Sequence, residues 1–170
     1  MKVFVTPNQD APHNLIVSFP AYGDVTRLPE ESDDEFLNKS ILKFREGSKI
    51  PDNVESHIVE DTELPADHEC STLCEFFDAW EWGDSGARVN MNRARELHRT
   101  RIRQARDIAL YNLDVPWMKA QESGDLDEQN RIKTEKERLR DLPSTFDLAV
   151  FTTPESLKQA WPDGLPKEQI

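Results

Sequence analysis

Glycine is scarce in this 170-residue sequence: there are six, none spaced as a P-loop or a dinucleotide fingerprint. Both of those phosphate cradles need glycines at fixed offsets so that backbone N–H groups can close on the anion, so neither design is present. Cysteine is scarcer still, with only Cys70 and Cys74. Two thiols cannot frame a multi-disulfide scaffold, and in a cytosol both are expected to be reduced. No apolar run approaches the ~20 residues that span a bilayer. The start, Met-Lys-Val-Phe-Val-Thr-Pro-Asn, turns polar before a signal-peptide core could form. The expectation is a chain made and kept in a cytosol, away from membranes. Internal repeats and low-complexity tracts are also missing. Apolar residues are few, 36% against 32% charged, which predicts a thin core that a partner helps complete.

What is abundant is acid, unevenly placed. The formal net charge is -12. Residues 1–87 carry 19 acids and 6 bases, or -13, and residues 88–170 carry 14 acids and 15 bases, or +1. The first half repels phosphate and anionic lipid, which disfavours nucleic acid or a membrane as partner. Such a surface suits solubility, docking on a basic partner, or mimicry of DNA.

Hydrophobic periodicity predicts an α+β fold. Residues 2–6 and 14–19 read as strands, stopped by Pro7-Asn8 and Pro20. Ser32 with Glu35 three residues on has capping-box spacing and opens a helix over 33–46, with Phe36, Leu37, Ser40, Ile41 and Phe44 on one face and Gly47 as C-cap. Residues 56–60 give a third strand, so 1–65 reads as an acidic β-β-α-β module. Residues 66–90 read as a loop and a β-hairpin turning at Gly83-Asp84-Ser85-Gly86, with Trp80 and Trp82 on one face. Residues 91–142 read as an antiparallel helical hairpin. In its first helix, capped by Asn90 or Asn92, Ala94, Leu97, Ile102, Ala105, Ile108 and Ala109 share a stripe, and Pro116 breaks or restarts the helix, with Asp114 as a cap. Leu126, Ile132 and Leu139 mark the inner side of the second helix. The proline-rich extension 143–170 holds too many apolar residues for a free linker, so it packs, with a short helix over 154–160.

The candidate chemistries are weak. Gly83-Asp84-Ser85-Gly86 matches a trypsin-like nucleophile segment but ends in Ala87 and has no histidine-bearing partner motif, so a turn is the better reading. His57, His68, Cys70 and Cys74 could supply four zinc ligands, yet no Cys-x2-Cys pair exists, and two free thiols are the plainer reading. Asp33-Asp34-Glu35 is explained by a helix start and Glu60-Asp61 by a loop. No catalytic residue, metal or cofactor is therefore expected.

Arginine carries more information. Residues 88–106 hold seven Arg, one acid and no Lys. Three readings compete: a solvated face laced to Glu96, Asp107 and the 125–141 helix; a docking face for acidic protein surface, since Arg pairs carboxylates bidentately; and nucleic-acid binding. Arg95, Arg99, Arg103 and Arg106 form one flank, while His98 and Arg101 interrupt the apolar stripe, where an unpaired charge is costly. These six, with Trp117, Trp80 and Trp82, are the candidate partner-binding residues.

Several segments occur together in a recognisable order: Phe77-Asp78-Ala79-Trp80-Glu81; Val89-Asn90-Met91-Asn92-Arg93-Ala94-Arg95-Glu96-Leu97-His98-Arg99; Leu113-Asp114-Val115-Pro116-Trp117; and Thr153-Pro154-Glu155-Ser156-Leu157 with Trp161-Pro162. Leu139-Arg140-Asp141-Leu142-Pro143 is the most characteristic piece. Over residues 76–162 the chain resembles small proteins of tailed phages and prophages grouped with phage tail assembly chaperones. The resemblance implies a non-enzymatic role in building a tail or virion, as a structural component or an assembly chaperone. Its implied partners are other tail or virion proteins or further copies of the chain, in the host cytoplasm during assembly or in the virion. The acidic first module keeps a second role open, inhibition of a host protein by DNA mimicry.

Overall fold

The computed structural model describes residues 1–7, 15–20, 27–65 and 75–167. The fold is α+β, in two compact units, Met1–Asn90 and Met91–Ile170. The hairpin at 80–89 therefore shares a unit with the β-β-α-β module instead of forming a segment of its own.

The first unit is built on strand β1 (Lys2–Pro7). It runs antiparallel between β2 (Leu15–Ser18) and β3 (His57–Glu60), pairing Val5 with Val17 on one side and with His57 on the other. Val3, Phe4, Val5 and Thr6 are all buried; since successive side chains point to opposite faces, the strand is covered on both. On one face the hairpin β4 (Trp80–Gly83) and β5 (Gly86–Val89) closes a core of Val3, Val5, Leu15, Leu64 and Trp80. On the other, Phe4 meets Phe44 of helix α1 (Asp33–Gly47), ring centroids 5.4 Å apart.

Local chemistry starts and stops these elements. Ser32 accepts from the Glu35 N–H while Glu35 accepts from the Ser32 N–H, the reciprocal capping box. Helix α1 ends one residue later than expected: Gly47 is its last residue, Ser48 is the C-cap, and Lys49 takes the left-handed conformation (φ 52°). In the hairpin neither Asp84 nor Ser85 has positive φ, so Gly86 supplies the reversal at φ 108°.

The second unit is a helical hairpin with a packed extension. Its outgoing arm is α2 (Met91–Asn112) followed by α3 (Asp114–Ser123), joined at Leu113, whose right-handed dihedrals (φ -86°, ψ -9°) carry the chain across. Asp114 is the first residue of α3 and caps nothing; its carboxylate takes Lys136 at 2.7 Å. Gly124 turns the chain in the left-handed region (φ 70°), and Asp125 caps the return arm α4 (Leu126–Thr145) by accepting from Glu128 N–H. Helix α4 runs past residue 142 and through Pro143, which is buried in its last turn. Ile132, Leu139 and Leu142 are buried, but Leu126 lies bare at the helix start. The extension carries a short helix α5 (Pro154–Gln159) capped by Thr153, and buries Leu148, Leu157, Ala160 and Leu165.

Candidate interaction surface

A helix of 3.6 residues per turn sorts the side chains of α2 into sectors. The inward one holds Ala94, His98, Ile102 and Ala105, all buried. His98, only 1% exposed, places Nε2 2.5 Å from the carbonyl oxygen of Ala160, and its ring meets Trp161 edge-on at 5.9 Å. A carbonyl only accepts, so Nε2 carries the proton. Arg101 beside it is half-buried and has contacts within the fold. On the flank, Arg95 Nε donates to Leu148 O (3.1 Å) and Nη2 to Phe151 O (2.9 Å), while Nη1 reaches Asn92 Oδ1 at 3.2 Å. Arg95 and His98 thus hold the chain's own extension. Their sequence separation of 53 to 62 residues from the groups they grip is why the pattern alone made them partner contacts.

The remaining tryptophans are also committed internally. Trp80 is buried in the first core, and Trp82 lies parallel to the His57 imidazole, centroids 4.0 Å apart and planes 4° from parallel. In the second unit Lys136 Nζ sits 5.7 Å over the Trp117 ring. The His57–Trp82 stack borders an open cleft of about 530 Å³ between β3 and the hairpin tip, with Glu55 and Glu63 on its rim. His57 belongs to that stack; its proposed zinc co-ligands His68, Cys70 and Cys74 lie outside the described residues. Among the described residues no three His, Cys, Asp or Glu side chains are grouped to hold a metal.

Arg99, half-buried, and Arg103, exposed, are different. Among the described residues neither has a carboxylate or any other hydrogen-bond acceptor in reach. On α4, Glu128 is held by Arg131 and Glu135 by Arg138, each through two short bonds at i,i+3 spacing. These hydrogen bonds hold both carboxyls below their ordinary pKa and both guanidiniums above theirs. Of the flank arginines, Arg106 alone finds an acid among the described residues, its neighbour Asp107 at 2.7 Å. Of the laced-face reading, the Asp107 pair is therefore present at Arg106, while Arg99 and Arg103 have no such pair among the described residues.

A third sector was misread in the sequence. Ile108, placed there on the buried stripe, is 45% exposed, and Tyr111, Val115 and Met118 follow at 74%, 52% and 52%. They recur at i, i+3, i+7 and i+10 along the outgoing arm, two on α2 and two on α3 either side of Leu113. The spacing was legible; it was masked because Ile108 also fits the end of the inner stripe. Beside this row a shallow groove of about 250 Å³ is lined by Asp107, Leu110, Tyr111, Asp114, Lys136 and Arg140.

No helix among the described residues is long and apolar enough to cross a membrane. Comparison with protein-family models, with curated proteins and with solved structures finds no match to the chain.

Proposed function

We propose that the chain is a non-enzymatic assembly protein of a tailed phage, acting on tail or virion proteins through the arginine flank of α2. The observation that carries the docking part is the state of Arg99 and Arg103, two guanidiniums on one helix face with no carboxylate from the described residues. Desolvating a guanidinium on binding is offset when a carboxylate meets it in bidentate geometry. An acidic protein surface fits that requirement. The phage setting rests on the resemblance over residues 76–162. In the second unit Arg95 and His98 fix the extension against α2, which gives Arg99 and Arg103 a rigid support for docking.

Mass spectrometry of purified virions tests the setting. Peptides of this chain in particles identify a structural component. Co-purification with tail proteins from infected cells, without peptides in particles, identifies a chaperone. Neither result leaves the phage role without support. Arg99→Glu with Arg103→Glu is expected to weaken tail-protein capture at least tenfold while circular dichroism stays unchanged. Capture that is insensitive to both charge reversals removes the arginine flank from the reading.

A further inference from the structure

We infer that the open edge of β3 is a strand-addition site, taking an extended peptide segment in which Lys or Arg alternates with apolar residues. The inference concerns the first unit alone and stands apart from the phage reading.

The register decides which backbone groups are on offer. In an antiparallel ladder alternate residues turn both N–H and C=O towards the partner strand, and those between turn both away. Asp61 N–H donates to Met1 O at 2.8 Å, which continues the β1–β3 register by one pair. His57, Val59 and Asp61 therefore bond β1, and Ile58 and Glu60 face outward. The Glu60 N–H is already taken by Glu63 Oε2 at 2.8 Å. At the other end Ser56 continues the register, its Oγ 2.7 Å from Thr6 Oγ1. Among the described residues no strand lies on this edge, and nothing bonds the outward backbone groups of Ser56 and Ile58. An antiparallel strand laid here exchanges both of its bonds with each of them.

The cleft beside the edge gives such a segment room. Glu55 to Val59 line it in succession, with Trp82 and Ala87 across from them, and β1 occupies the other edge of β3, so the cleft opens along the unpaired one. Side chains of an added strand alternate between faces. Those opposite Ser56 and Ile58 share their face, where Ile58 is 40% exposed and accepts an apolar neighbour. Those opposite Glu55, His57 and Val59 enter the cleft on the hairpin side.

Charge selects the occupant. The cleft lining holds Glu55 and Glu63 and no Lys or Arg. Both acids are exposed, and neither has an ion pair among the described residues. A basic side chain on the cleft side of the added strand therefore meets carboxylates and no competing cation. The same acids reject a second copy: joining two β3 edges packs Glu55, Glu60 and Glu63 of both chains into one seam, and like charges across a ladder are destabilising.

The probe is an acetylated, amidated Lys-Val-Lys-Val-Lys peptide carrying a fluorophore, titrated into the full chain at low salt by anisotropy. For so short a segment a Kd on the order of 10–100 µM is expected, and hydrogen exchange at the Ile58 amide should slow at saturation. Glu55→Lys with Glu63→Gln should weaken binding at least tenfold; Gln at 63 keeps an acceptor for the Glu60 N–H. Ile58→Pro removes the outward donor and leaves the β1 ladder intact, since proline is tolerated where an edge N–H faces away, and should weaken binding several-fold. N-methylation of both valine nitrogens of the peptide removes the matching donors with charge unchanged, and should abolish binding whether or not the proline variant folds. No binding at roughly 1 mM peptide overturns the inference. So does an N-methylated peptide that binds equally well, which is charge adhesion without strand addition, a Glu-Val-Glu-Val-Glu peptide that matches the basic one, or an Ile58 amide whose exchange is unchanged at saturation.

Discussion

Arg95 and Arg99 are one helical turn apart and of the same type, yet their free-energy roles differ. Arg95 satisfies two backbone carbonyls of the extension, at Leu148 and Phe151, and a charged donor to a partly buried acceptor contributes about 1.5–3 kcal/mol. Arg99 satisfies nothing among the described residues. Arg95→Met keeps the aliphatic stem and removes the donors. Urea unfolding should report a loss of roughly 2 kcal/mol for it, and limited proteolysis should show new cleavage between 146 and 153. Arg99→Met should stay within about 0.5 kcal/mol of the parent, as a surface change touching no hydrogen bond. Equal stability of the two variants would contradict the clamp.

The elements divide by how far their causes reach along the chain. Helix α1 was readable to within a residue at both ends because its start is local: Ser32 and Glu35 cap each other three residues apart. Ser32→Ala should cost about 1 kcal/mol of stability, with a pH signature. Hydrogen bonds from the Ser32 backbone and side chain hold Glu35 below its ordinary value of 4.5. A depressed folded-state pKa contributes stability that is present above the unfolded value and lost as pH falls through the folded one. The gap in melting temperature between parent and Ser32→Ala should therefore narrow below pH 4.5; a gap constant into acid counts against the box. The strands and both arms of the helical hairpin were legible for the same reason, as periodicity is local. The extension's grip on α2 was not, since Ala160 and His98 stand 62 residues apart. Nor was the division of α2's face: Ile108 satisfies both an inner and an outer stripe, and only the position of α4 decides between them. Asp114 looked like a cap because it stands near Pro116, but Lys136, 22 residues later, claims it.

Because the molecule is two compact units with separate cores, damage to one should leave the other standing. Val5→Asp buries an unpaired charge in the first core, a loss of several kcal/mol. Near-UV dichroism from Trp80 and Trp82 should vanish, while helical signal at 222 nm from α2 to α4 persists; joint collapse would show that the cores depend on each other. The doubly covered strand β1 has a further consequence, in time. It leaves the ribosome well before its last cover, the hairpin, which ends at Val89. At about 5–20 residues per second, Val3, Phe4 and Val5 wait roughly 4–17 s before that face can close. During synthesis this is an aggregation-prone strand without its partners, and Lys2 at its head together with the dense acid downstream is charge of the kind that opposes association of such segments.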